Sequence, residues 1–364
     1  MNIQASPKPK RIRGIVTHEK PHLDEIFAIW LLRTFGEEQF PGVSKAKVNY
    51  WTSGGTSPDG LSAEQYLQDG IILVGVGGGC FDEHSTSATA RKEGECTATL
   101  VAKALGIDED PALDKLLRFV VQEDLKGSTS AFNLASMVKV MHQHYDPKKV
   151  FEWTVLAIEA KYLEQLQFWT TTRGEFMRIS RVEEIQGPGD RGVVVVSFKS
   201  DDPLMNKFAR SSHGANAAVV VQKNSSGNVQ VFTNKRFGLK LFDVARMLRL
   251  EEQRLKGGIL QTTDAMELTK EGVVPGCEEW YFHHEMQSIM NGSLTAKDVP
   301  RTRLSFERIV EIVHIGINPA AFEPKRAARC EQGFCDSCPQ NRCPWEPYGL
   351  TRCHKIRIAE KREK

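Results

Sequence analysis

Short apolar runs alternate with helical periodicity over the first third of the chain. Residues 11 to 16, 47 to 51 and 71 to 76 are apolar stretches of strand length, and 23 to 35, 62 to 68 and 95 to 105 carry apolar positions at helical spacing. The order predicts βαβαβ, a parallel sheet covered by helices on both faces. Gly106 stands where a C-cap would end the third helix. Asp110-Pro111 and Asp146-Pro147 each join an N-cap residue to a proline suited to the first turn, which predicts helix starts near 111 and 147. The second of these continues through Trp153, Ile158, Tyr162 and Leu166 to about Phe168, long enough to link two domains.

Gln186-Gly187-Pro188-Gly189 is a turn and linker signal. Beyond it, Val193 to Phe198, Ala217 to Gln222 and Asn228 to Thr233 read as strands, the last two joined by a turn at Asn224 to Gly227. Asp202-Pro203 starts a short helix, and a longer one is expected from about Leu239 to Leu255. The fold class expected is α/β: a parallel-sheet domain with its linker helix over 11–175, a smaller α/β or α+β domain over 190–320, and a cysteine-rich tail over 324–364.

Composition narrows this only slightly. Hydrophobic residues make up 40% and charged residues 26%, the balance of a globular protein. No apolar run reaches bilayer length and no signal-peptide core is evident, so no membrane partner is expected and the cytoplasm is the expected location. The net charge is +2, which does not mark a general polyanion binder. Lys8, Lys10, Arg11 and Arg13 form one basic cluster, and residues 325 to 364 hold ten Lys/Arg against five Asp/Glu. Such a tail suits phosphate contacts, or equally a solvated end. Of the eight cysteines, Cys330, Cys335, Cys338, Cys343 and Cys353 crowd together, which reads as a metal site; Cys80, Cys96 and Cys277 read as ordinary small hydrophobes.

The candidate chemistry lies in three segments. In Thr17-His18-Glu19-Lys20-Pro21-His22-Leu23-Asp24-Glu25 a strand runs out into a polar turn and then directly into a helix, where open α/β sheets place their sites. His18, His22 and Asp24 can converge there, and imidazole with carboxylate suits Mn²⁺, Zn²⁺ or Fe²⁺ better than Ca²⁺. Gly77-Gly78-Gly79 follows the third strand and permits close backbone approach to a phosphate, with Asp82, Glu83 and His84 next. Asp124 ends an apolar helical run. Each segment alone is common as a cap or a solvated loop; their order, each after an apolar element, is what points to a site.

These residues resemble the DHH phosphoesterase superfamily, most closely its MYG-type, RecJ-like metal-dependent exonucleases and phosphoesterases. Thr17 to Glu25 matches the Thr-His-x-x-x-His-x-Asp-Glu motif, Asp82-Glu83-His84 is similar to Asp-His-His, and Asp124 falls where a further metal carboxylate is expected. Two positions depart: Gly75 stands where these proteins carry a metal-bridging aspartate, and Glu83 replaces the first histidine of Asp-His-His. The resemblance covers roughly residues 11 to 130 in motif detail. It implies Mn²⁺ or Mg²⁺ held by His18, His22, Asp24, Glu83 and Asp124, with Asp82 and His84 in the catalytic group and Glu25 as an orienting carboxylate. It leaves open whether one or two ions bind.

The resemblance further implies that the second domain holds the non-reacting part of the substrate, with His213, Lys235 and Arg236 as candidate contacts. His283-His284 is expected to end a strand. In the tail, four of the five thiolates can surround Zn²⁺, with an iron-sulfur cluster as the competitor. Arg342, Trp345, Tyr348, Arg352, Lys355 and Arg357 interleave aromatic and basic side chains that could hold a single strand. The expected function is hydrolysis of phosphodiesters in single-stranded nucleic acid. A small phosphorylated substrate and a degenerate binding module are the alternatives, and a homodimer is compatible with either.

Overall fold

A computed structural model describes residues 11–52, 57–84, 94–127, 130–188, 191–264, 266–293, 296 and 298–317. The chain divides between Trp169 and Thr170 into two compact units. Among the described residues no helix is long and apolar enough to cross a membrane.

The first unit follows the expected alternation: β1 (Gly14–His18), α1 (Leu23–Phe35), β2 (Lys47–Trp51), α2 (Ala63–Gln68), β3 (Ile71–Leu73), α3 (Thr97–Leu105), α4 (Pro111–Leu125), α5 (Leu134–Met141) and α6 (Pro147–Gln167). The strands form a parallel sheet in the order β2-β1-β3, with β1 central. Successive β1 residues serve opposite faces, as the two-residue strand period requires. Ile15 enters the large core with α1, α3, α4 and α6, whereas Val16 joins Leu73, Val76 and the α2 side chains Ala63 and Tyr66. α1 is buried from Leu23 to Leu32, which explains an apolar content too continuous for a surface stripe.

Caps set the helix ends. The Asp110 and Asp146 side chains accept from Ala112 N and Lys149 N, and Gly106 is left-handed at φ 69°. β2 keeps its expected limits, and β1 and β3 are displaced from theirs for physical reasons. β1 starts at Gly14, where pairing with both Lys47 and Ile71 begins, and reaches His18, paired with Trp51. β3 ends at Leu73, because Gly75 turns left-handed at φ 65° and its N–H donates to Phe81 O instead of a strand.

The second unit contains α7 (Arg173–Ile179), β4 (Arg181–Gln186), β5 (Gly192–Lys199), α8 (Leu204–Arg210), β6 (Val219–Lys223), β7 (Val229–Thr233), α9 (Phe242–Lys256), β8 (Tyr281–His283), β9 (Ser288–Asn291) and α10 (Phe306–Ile317). Its sheet runs β4-β5-β6-β7-β9-β8 and is mixed, with β5 and β6 parallel and the other pairs antiparallel. Val219, Val221, Val229 and Val231 face a core shared with α9 and α10. Gln186 and Gly187, read from the sequence as the start of a linker, open the turn of the β4–β5 hairpin, where Gly187 N donates to Arg191 O at 2.6 Å. A Gly/Pro signal marks a turn but does not say whether the strands on either side pair.

Candidate metal centre

The carboxyl end of β1 places His18 beside the first turn of α1, so local chain geometry alone gathers His18, His22, Asp24 and Glu25. Glu25 sits at the third helical position and uses both oxygens. His22 N donates to Oε2 at 2.7 Å, and His18 Nε2 lies 3.0 Å from Oε1. Ligand atoms of His18, His22 and Glu25 fall within 4.8 Å of one another. Glu25 thus orients the His18 ring, as expected of it, and its carboxylate also lies close enough to both imidazoles to share an ion with them. Burial disfavours charge on His18, but the Glu25 hydrogen bond and the nearby Glu25 and Glu83 carboxylates outweigh it and raise its pKa. Burial opposes ionisation of Glu25 too, yet the His18 hydrogen bond and the two imidazoles hold it below the usual carboxylate range.

Asp24 points the other way along the helix. Its oxygens accept from Thr97 N at 2.9 Å and Ala98 N at 2.8 Å, so the first turn of α3 anchors it with helix-terminal amides. Burial, then the charge of Glu25, pushes its pKa up to about 8 despite those amides, and Asp124 adds to the effect. Asp24, Glu83 and Asp124 form a second group with ligand atoms within 4.8 Å. Glu83 accepts a short hydrogen bond from the Thr97 hydroxyl. Thr97 thus orients both Asp24, through its N–H, and Glu83, through its side chain.

Asp82, Glu83 and His84 make a third such group. Asp82 is spent largely on its own loop, accepting from Gly78 N at 2.8 Å and His84 N at 2.9 Å. His84 Nδ1 lies 3.1 Å from Asp82 and 3.4 Å from Glu83, with its ring 63% exposed at the rim. The glycine run has a packing cause: a Cβ on Gly77 would lie 2.6 Å from Leu73 Cδ1, and one on Gly79 2.6 Å from Ala63 Cβ.

Five expected ligands thus fall into two neighbouring groups, His18 with His22 and Asp24 with Glu83 and Asp124, and Glu25 completes the first. Sequence reasoning also missed Thr97 and His142. His142 Nε2 lies 2.9 Å from Pro21 O, where a neutral ring donates, and this ties α5 to the loop carrying His22. Burial lowers the His142 pKa, consistent with that neutral donor.

Among the described residues, the hydrogen-bond partners of Asp24, Glu25 and Glu83 are backbone N–H groups, imidazole, a hydroxyl and the Cys96 thiol, none with a fixed positive charge. Buried carboxylates of this density are costly without a cation. The nitrogen and oxygen donors fit Mn²⁺, Fe²⁺ or Zn²⁺.

In the second unit His213, Lys235 and Arg236 are exposed. His213 lies in the turn after α8, and Lys235 and Arg236 in a single 3₁₀ turn whose Asn234 side chain accepts from Arg236 N. His283 ends β8, and His284 Nε2 meets Thr269 O at 2.7 Å. Cys330, Cys335, Cys338, Cys343 and Cys353 lie outside the described residues.

No family model matches the sequence, and no curated protein matches it. A crystal structure of an uncharacterized protein from Helicobacter pylori G27 aligns with 85% of this chain and 100% of its own, at 10% identity and a TM-score of 0.27.

Proposed function

We propose that the chain is a divalent-metal-dependent phosphoester hydrolase, a nuclease acting on single-stranded nucleic acid. The observation that carries this reading is the convergence of His18, His22 and Glu25 beside Asp24, Glu83 and Asp124 at the carboxyl end of β1. On this reading the first three residues hold one ion and the last three a second, with Mn²⁺ or Mg²⁺ as the working metal. A divalent ion there supplies Lewis acidity toward a phosphoryl oxygen and makes an attacking water more acidic.

The chain's own groups do the positioning. Glu25 fixes the His18 ring, the first turn of α3 fixes Asp24, and Thr97 fixes Glu83. On this reading His84, exposed at the rim, donates to a phosphate oxygen of the substrate. His213, Lys235 and Arg236 are proposed to bind the non-reacting part of the substrate. The cysteine tail is proposed to hold Zn²⁺ or an iron-sulfur cluster.

The test is Mn²⁺-stimulated release of nucleotides from a single-stranded oligonucleotide, with elemental analysis of the purified protein. Activity lost on chelation and in Asp24→Ala supports the proposal. Turnover of pyrophosphate with intact oligonucleotide moves the substrate to a small phosphate compound. A folded protein that neither binds Mn²⁺ nor cleaves any of these rejects the hydrolase.

A further inference from the structure

The sheet of the second unit has a face that its core does not use. While Val219, Val221, Val229 and Val231 point into the core, the alternate residues of β6 and β7 point to the α8 side. The antiparallel register sets Gln222 opposite Gln230 and Val220 opposite Phe232. α8 buries Met205 and Phe208 on that side, whereas Gln230 and Phe232 stay half-buried. The result is a cleft of about 290 Å³ between α8 and the uncovered β7 residues, lined by Asn206, Gln222, Gln230 and Phe232 together with loop residues that include Asp201 and Asn224.

Two of the cleft's amides are held through their nitrogens. Gln222 Nε2 donates to Ser200 O at 3.0 Å and Asp202 O at 3.3 Å, and Gln230 Nε2 donates to Gly292 O at 3.3 Å. Both amides are therefore oriented by main chain, with their oxygens left as the ends that can accept. Asn206 is 6% exposed, and its Oδ1 is buried without a hydrogen-bond partner. A buried acceptor left in that condition costs free energy that a ligand donor would recover. Among the described residues the lining contains no Lys or Arg and its one charged side chain is Asp201, while the Arg210 guanidinium lies 5.9 Å from the centroid of the Phe232 ring. A lining of amides and one carboxylate favours a neutral, flat group with N–H donors over a phosphate.

We infer that this cleft binds a nucleobase bearing an exocyclic amino group, stacked on Phe232 and read by the amide oxygens of Asn206, Gln222 and Gln230. Amide side chains suit the edge of adenine, and an aromatic ring supplies a stacking platform for any base. The volume is at the low end for ligand pockets and matches one base rather than an oligomer. That the base belongs to a phosphoester substrate rests on the hydrolase reading; the cleft's own ligand preference does not.

The test uses the full chain with EDTA present, so that binding is read without turnover. Adenosine is titrated by calorimetry and by ligand-observed NMR, with ribose 5-phosphate as the probe that lacks the base. Saturable binding of adenosine and none of ribose 5-phosphate is expected. Phe232→Leu keeps an apolar side chain but removes the ring and should weaken adenosine roughly tenfold. Gln230→Ala, at a half-buried position, should weaken it roughly fivefold. Both variants are checked for an unchanged unfolding midpoint, and whichever remains folded decides the matter. Asp24→Ala should bind adenosine like the parent, so base binding that persists while no hydrolysis is ever found leaves the cleft standing and the hydrolase rejected. No adenosine binding by the folded parent up to about 10 mM, equal binding of ribose 5-phosphate, or folded variants that bind like the parent would overturn the inference.

Discussion

Gly75 and Glu25 share one volume: a Cβ built on Gly75 would lie 2.6 Å from Glu25 Cγ and 3.3 Å from its Oε1. At Gly75 the chain carries only hydrogen, and the space that a side chain would take is filled by a carboxylate from α1. Glu25 Oε1 lies 3.0 Å from His18 Nε2, about the separation of two neighbouring ligands around one ion with bonds near 2.1 Å.

The shared volume predicts a non-additive pair. Gly75→Ala should destabilise the metal-free protein by about 1–3 kcal/mol, through the clash with Glu25 and through a φ of 65° that disfavours a side chain. In an Glu25→Ala background the steric part disappears and only the backbone part remains. The cycle, measured by urea unfolding, should give a coupling above about 0.5 kcal/mol. Strict additivity would show that the two residues do not compete for space. Manganese binding followed by electron paramagnetic resonance should weaken in Gly75→Ala as Glu25 is displaced.

A titration follows from Asp24. Its carboxyl holds a proton up to about 8 in the folded chain and only to about 3.8 when unfolded. Between those values the native state binds more protons, so this group lowers stability as pH rises, by at most about 1.4 kcal/mol per unit. Above about 8 its contribution levels off. Glu25 acts in the opposite sense and elsewhere: its depressed pKa adds stability above about 4.5 that is lost as pH falls below it. Asp24→Asn should remove the downward slope between about pH 4 and 6 in the metal-free protein, reduce it above that, where the raised pKa of His18 keeps a share of it, and leave the acid limb in place. An unchanged slope in the variant would assign it to another group.

His142 is predicted to matter without touching a metal. Its Nε2 donates to the carbonyl of Pro21, in the loop that delivers His22. His142→Ala should cost about 1–3 kcal/mol, the loss of one buried hydrogen bond and part of a ring. Because the loop then loosens, Mn²⁺ affinity should also fall several-fold. Reduced stability with unchanged affinity would show that the loop holds its position without this tie.

Sequence pattern made the local part of this arrangement legible. β1, the polar turn and α1 lie in one stretch of 22 residues, so strand period, turn and helix period could be read in order, and His18, His22 and Asp24 with them. Glu25, expected as an orienting carboxylate, does orient His18, and it also caps the helix by accepting from His22 N at the third helical position. At Gly75 spacing alone could not show that the Glu25 side chain fills the space beside it. Thr97 and His142 reach the site from 73 and 121 residues away along the chain, and periodicity carries no such information. β4 escaped notice because Arg181, Glu183, Glu184 and Gln186 leave it little apolar signal, and β9 is too short to show a period, whereas β8 is the strand that His283-His284 was expected to end.

The second unit offers a test independent of any metal. Arg249 is fully buried, and its guanidinium threads a ring of main-chain carbonyls: Nη1 donates to Leu268 O and Lys270 O at 2.9 Å each, and Nη2 to Trp280 O at 3.1 Å and to Gly272 O. Burial pushes its pKa down to about 10, so it remains charged at neutral pH. One side chain thus ties α9 to the irregular segment before β8 and satisfies four acceptors. Lysine keeps the charge but offers three donors from a single atom, which cannot match a planar fork. Arg249→Lys should therefore leave carbonyls bare and cost about 2–4 kcal/mol, read as a lower urea midpoint in the transition that reports on Trp280. Retention of stability within about 0.5 kcal/mol would mean that the segment is held by its apolar contacts through Leu268, Val274 and Cys277, and that the fork adds little.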